Sequence, residues 1–482
     1  MSSGSPVSEE PGPRIIIDPP ETTVITPLPK EPRPARKHQR VLPRLVSLDA
    51  FRGFIMLMLA AHGFGIASLA STSADSPLWK VLDREHVDWI AFHFRHPPYW
   101  ESGFVPGMHD STVGNPWLHM GVSFWDLIQP AFMLMVGVAL PLSLTKRAHA
   151  GQSKFQRGLH ALIRSVALVL MGVFLYSVNN KTTNWIFPNV LAQIGLGYFF
   201  VYLLTNRKLW LQVTAFFAIL IGTWCGIHLT PPPANYQPEA VNASRERGDV
   251  FAPPYRQWSK NGNAFSTFDR WFLNLFPRSP ELGPFQFNSG GYQTLNFVPS
   301  MATMLLGVFC GQILLSQIRP SRKFLALILL AATLWGTGVI AGATCCPIVK
   351  RIWTPGWVLF SGGYVIGMLA LFYLLFDFLP FQILARPLVI IGVNSLLVYF
   401  LGELTTRWLA ANVLRHFGGV IQWMLGQLAN ATHLLQNLGT PPEQAGAVMM
   451  TLFHPVIHAV SAVLAIWLIC WWLYRQRVFL RL

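Results

Sequence analysis

Ten stretches of this chain run for about 20 residues with almost no charge. They lie near 47–70, 123–145, 158–179, 187–205, 209–229, 294–316, 323–344, 356–379, 386–408 and 451–473. A helix of that length spans the hydrocarbon core of a bilayer and satisfies its own backbone there. The pattern predicts an all-α, polytopic integral membrane protein of about ten transmembrane helices. Only 12% of the 482 residues are charged, about half the share in soluble proteins. The 18 Trp and 34 Phe suit aromatic belts at the interfaces.

A net charge of +15 would raise the question of nucleic acid in a soluble chain. Here Lys and Arg gather in the short loops "TKRAHAGQSKFQR", "NRK" and "IRPSRK", as cytoplasmic loops do. No nucleic-acid partner is expected. An even number of spans puts both termini on one side, and the basic tail before the first span and "YRQRVFLRL" after the last argue for the cytoplasm; the membrane is the inner (plasma) membrane if the cell is bacterial. Residues 1–44 read as a disordered basic cytoplasmic tail without the apolar core of a signal peptide. Residues 45–482 read as one transmembrane domain with large outer loops near 72–122, 230–293 and 409–450. The five cysteines show neither metal-ligand spacing nor a disulfide framework.

Polar groups inside spans are costly and mark function or helix contacts. Asp49 and Arg52 lie three apart and can pair on one helical face. His62 lies further along the same helix. Ser123 and Asp126 form a capping-box pattern, and Asp126 is also placed to orient an imidazole. Gln193, Asn296 and Asn394 are either links between helices or parts of a polar interior.

The stretch "EHVDWIAFHFRHPPYW" holds His86, His93 and His96, with His109 and His119 beyond it. Imidazole titrates near neutral pH and suits proton transfer. Three readings compete: an acyl-transfer base or carrier, a metal site built on His93 and His96 with Glu101 or Asp110, and ordinary loop composition packed on aromatics. The loop lacks the cysteines that structural zinc sites favour, and no metal is expected.

Five segments occur in order: "RLVSLDAFRGFIMLML", "SFWDLIQPAFMLMVGVALPLSL", "NVLAQIGLGYFFVYLL", "WTPGWVLFSGGY" and "IIGVNSLLVYFLGE". The chain resembles the heparan-α-glucosaminide N-acetyltransferase family of polytopic membrane acyltransferases, particularly bacterial members of unassigned substrate. The resemblance implies transfer of an acetyl (acyl) group from cytosolic acetyl-CoA, a co-substrate, to an amine or hydroxyl of an extracytoplasmic saccharide. It also implies a catalytic histidine opening an "H-x-x-W-x-G" run before the second helix. Here "HVDW" at His86 matches the first half of that run and "GVSFWDL" from Gly121 the second, with roughly thirty residues inserted between. Ungapped, the histidine position falls on Pro116 and the tryptophan position on His119.

The catalytic candidates are therefore His86, His119 and Asp126. Arg52, Asn394 and Gln193 are the candidates for the cofactor, and His62, Asn296 and Trp89 for the acceptor. Arg44, Lys146, Arg147 and Arg164 are further cations on the predicted cytoplasmic side. The expected partners are a saccharide acceptor, acetyl-CoA and the bilayer, and a homodimer is compatible with them. A transporter or flippase for a lipid-linked sugar is the alternative from another class; its hallmark is inverted repeats with broken helices.

Overall fold

Helix boundaries follow from local chemistry that satisfies free backbone ends. The computed structural model describes residues 45–96, 122–244 and 248–480. Helix α1 (Val46–Ala60) is followed by a turn at His62–Gly65 and a short α2 (Ile66–Ala70). Next come α3 (Arg84–Phe92), α4 (Phe124–His149), α5 (Lys154–Ser177), α6 (Val190–Thr205) and α7 (Leu209–His228). The following long loop contains α8 (Ala264–Phe272). Then come α9 (Phe297–Leu315), α10 (Pro320–Thr344) and α11 (Pro355–Tyr373), which runs on into a π-turn to Phe378. The last four are α12 (Gln382–Gly392), α13 (Ser395–Thr432), α14 (Ala445–Leu452) and α15 (His454–Arg475). No strand occurs among the described residues.

Among the described residues, seven helices are long and apolar enough to cross a membrane, or nine if each of two bent pairs is one span. The expected ten require that both bent pairs and one shorter apolar helix also cross. The span near 187–205 is a 16-residue helix, α6, short of the usual length. The first expected span is broken: His62, Gly63, Phe64 and Gly65 all take left-handed φ between 45° and 70°, bending α1 from its continuation by 43°. The ninth is bent by 62° between α12 and α13. Helix α13 then continues for 38 residues, through most of the expected loop 409–450. Nothing in that segment forces a stop before His433, which takes a left-handed φ of 53° at the C-cap. The terminal tail 1–44 lies outside the described residues.

Helices α4, α9 and α11 form the centre, around Met133, Leu134, Met304, Trp357 and Phe360. Helices α5, α7 and α10 turn large apolar side chains outward, among them Ile163, Leu170, Phe217, Ile221 and Leu329. That inverted surface is what a bilayer accepts. Helices α4 and α9 touch through Gly137 and Gly307: a Cβ on Gly307 would collide with the Leu134 carbonyl. Gly307→Ala should therefore lower unfolding stability by about 1–3 kcal/mol, read as a lower Tm of the detergent-solubilised protein.

The long loop before α9 is packed. Within it the buried Lys260 and Asp249 pair at 3.6 Å. Asp269, 1% exposed, accepts the Thr294 N–H with both carboxylate oxygens, at 2.9 and 3.2 Å. Burial pushes its carboxyl up from 3.8 to about 6, against the pull of those bonds. Between those two values the folded state holds a proton that the unfolded chain releases. Stability should therefore fall as pH rises across that window, by about 3 kcal/mol in all. Asp269→Asn should flatten that slope in unfolding measured from pH 4 to 7, while the full slope surviving in the variant would remove Asp269 as its source.

Candidate functional site

At the start of α4, Ser123 Oγ accepts the N–H of Asp126 at 3.2 Å. This is the serine half of the expected capping box; the Asp126 carboxylate turns to other partners instead of back to the Ser123 N–H. Asp126 is 1% exposed and does not stand alone. Its Oδ1 meets His96 Nδ1 at 2.6 Å and accepts from Lys350 Nζ at 2.9 Å. Lys350 is 4% exposed, and its Nζ lies 3.3 Å from His96 Nδ1. An ammonium has only donors. With Nδ1–H pointing at Asp126, both His96 and Lys350 donate to the same oxygen. That tautomer, assigned from the partners, leaves the lone pair of His96 on Nε2.

Three separate pieces of chain converge here. Trp125 N–H donates to the His93 carbonyl at 3.0 Å, tying the end of α3 to the first turn of α4. Phe94 packs edge-on to Phe124 with ring centres 6.4 Å apart, and it lies directly against Gly63 in the broken turn of the first span. His96 follows two residues later. Lys350 sits in the buried link between α10 and α11. There Thr354 Oγ1 accepts the N–H of Val349 at 3.0 Å, donates to the Pro347 carbonyl at 2.7 Å and caps Trp357 N–H at 3.2 Å. One threonine thus closes the turn that carries the lysine.

Burial lowers the His96 pKa from its usual 6.5; the Asp126 bond opposes this, and the charges of Lys350 and Arg351 add to the fall. The side chain keeps 45% of its surface exposed, so burial acts on one side of the ring only. The outcome is a neutral, half-open imidazole whose far nitrogen can accept a proton near pH 7.

A second layer of polar contacts adjoins the first. Gln129, one turn along α4 from Asp126, donates to Gln193 Oε1 at 3.1 Å. Gln193 Nε2 donates to the Gln293 carbonyl at 3.4 Å. Asn296 Nδ2 donates to the Arg351 carbonyl at 2.7 Å. Of the residues singled out in the sequence, Asp126, Gln193 and Asn296 therefore share one neighbourhood.

The others lie elsewhere. His86 is on α3, its side chain 84% exposed and paired with Asp83, whose carboxyl it holds below its usual value. Trp89, half exposed, stacks edge-on to His93 at 5.4 Å. His62 occupies the left-handed turn of the first span. Arg52 meets Asp49 at 3.8 Å, the expected i,i+3 pair. Asn394 spends its amide on the chain end, donating to the Val478 carbonyl at 3.2 Å and accepting from Leu480 N–H at 2.9 Å. The three cofactor candidates take different partners: Arg52 meets Asp49, Asn394 the chain end, and Gln193 the Gln129 side chain and the Gln293 carbonyl. His119 lies outside the described residues, as do Glu101 and Asp110.

Lys350, Arg351 and Gln293 were not singled out in the sequence. A signal existed for the first two. "CCPIVKRIWTPGW" places adjacent cations at the membrane edge opposite the basic loops, where cations are scarce.

Among the described residues, fold and site together define an all-helical protein with seven to nine candidate membrane spans and a buried Asp–Lys pair beside a half-open histidine. No protein-family model matches the chain. None of the curated proteins matches it either.

Proposed function

We propose that the protein is a membrane acyltransferase that moves an acetyl (acyl) group from acetyl-CoA to an amine or hydroxyl of a saccharide, with His96 as general base. The observation that carries this reading is the His96–Asp126–Lys350 cluster at one end of an apolar bundle. The acceptor's N or O attacks the thioester carbonyl, and its proton passes to His96 Nε2. The C–S bond then breaks, and the thiolate takes up the proton. Asp126 holds Nδ1–H and stabilises the imidazolium, while Lys350 keeps the Asp126 carboxylate ionised in its buried setting. On this reading ten spans place both termini in the cytoplasm, and His96 lies on the opposite face.

The test is transfer from radiolabelled acetyl-CoA to a panel of amino sugars by purified protein. Transfer should stop when His96 becomes alanine. Transfer that depends on His86 instead would return the role to α3.

Two broken spans favour a second reading, a transporter or flippase for a lipid-linked sugar. Thermal stabilisation of the solubilised protein by CoA supports the enzyme; stabilisation by sugar alone supports transport.

A further inference from the structure

A closed circuit of contacts surrounds the segment 293–296. Asp126 holds Lys350; the next residue, Arg351, offers its carbonyl to Asn296; the Gln293 carbonyl takes Gln193; and Gln193 takes Gln129, one turn along α4 from Asp126. Within this circuit Gln293 is 1% exposed, yet neither its Nε2 nor its Oε1 meets a partner among the described residues. Asn296 Oδ1 is likewise unmatched. Thr294 Oγ1, between them in the chain, is unmatched too, and the remaining buried, unmatched side-chain atoms of the described residues fall outside this segment, one to a residue. Among the described residues Gln293 alone leaves two buried side-chain atoms unmatched.

A carboxamide with both ends unsatisfied is destabilising. A leucine would fill nearly the same space without that cost, so packing gives no reason for the amide. A functional site does. A carboxylate only accepts and an ammonium or guanidinium only donates, so a single group that serves both ends of the amide is neutral. It must accept from Nε2 and donate to Oε1 together.

We propose that Gln293, with Asn296 Oδ1, is a binding subsite beside the His96–Asp126–Lys350 cluster for an uncharged group that presents a donor and an acceptor side by side. A secondary amide or a pair of neighbouring hydroxyls has that chemistry. Naming the source rests on the acyl-transfer reading: the amide-bearing pantetheine arm of CoA, or the hydroxyl and N-acyl groups of a saccharide.

The experiment compares full-length wild type, Gln293→Leu and Gln293→Asn in detergent, by equilibrium binding and thermal unfolding. The probes are CoA, pantetheine, glucosamine and N-acetylglucosamine. Gln293→Leu, freed of the unmatched pair, should unfold at a higher temperature without ligand. It should also bind at least one probe about 10–100-fold more weakly, the loss expected for two hydrogen bonds. Loss with pantetheine and CoA points to the carrier arm, and loss with the sugars to the acceptor. Gln293→Asn, its amide withdrawn by one methylene, should also bind more weakly, and it serves if the leucine variant fails to fold. Equal affinity of the variants and wild type overturns the subsite, and so does wild type that binds none of the four probes. Wild type that binds a probe through Gln293 but transfers no acetyl group sinks the acyl-transfer reading and leaves the subsite standing.

Discussion

Replacing His96 by alanine is expected to cost about 10²–10⁴-fold in acyl transfer, the usual worth of a general base. The expectation comes from position. His96 is the histidine whose Nδ1 is held by a buried carboxylate while part of its ring stays open. Its pH dependence has a definite sign. Burial and the Lys350 charge lower the imidazole pKa below 6.5. The acid limb of the transfer rate should therefore fall below pH 6.5, since activity is lost only once His96 is protonated. Fold and expression should survive the substitution, because a half-exposed side chain contributes little to the core. If His96→Ala transfers acetyl groups at the wild-type rate, His96 is not the base.

Lys350→Met should have the largest effect on stability. Lys350 and Asp126 are 4% and 1% exposed. Removing the cation leaves the Asp126 carboxylate buried without its ammonium partner, although His96 still meets it. Breaking one side of a buried pair typically costs about 3–5 kcal/mol, and the remaining His96 bond favours the lower end. The double variant Lys350→Met, Asp126→Asn should recover much of the loss, because no charge is then stranded. A double-mutant cycle on unfolding in detergent measures this coupling. Additive single and double effects would mean that the 2.9 Å contact carries no net energy. The same variant links stability to chemistry. Lys350 lowers the His96 pKa, so its loss should move the acid limb upward in any variant protein that folds.

Much of the scaffold is legible in the chain. Serine and threonine caps, prolines at helix starts and the lengths of the apolar runs place α4, α5, α7, α9, α10, α11 and α15 close to where they lie. These signals are local, acting within a turn or along one helix. The breaks were less legible. "HGFG" contains two glycines, but the left-handed turn also needs Gly63 against Phe94 and Gly65 against Pro455, contacts made by distant segments.

The site divides in the same way. The capping pattern of Ser123 and Asp126 is written in four consecutive residues, and the structure has its serine half. Which imidazole meets that carboxylate is not written anywhere locally. His86, His93 and His96 are equal as sequence, and a match of short runs favoured His86. The choice depends on a contact across 30 residues, made because Trp125 holds the His93 carbonyl and Phe94 wedges beside Gly63. Lys350 arrives from 224 residues away, on a turn closed by Thr354. Helix type and membrane fitness depend on the hydrophobicity and hydrogen bonding of neighbours, so the sequence alone determined them. The partner of a buried charge depends on which chain segments the packed bundle brings within 3 Å, and only the tertiary structure decided that.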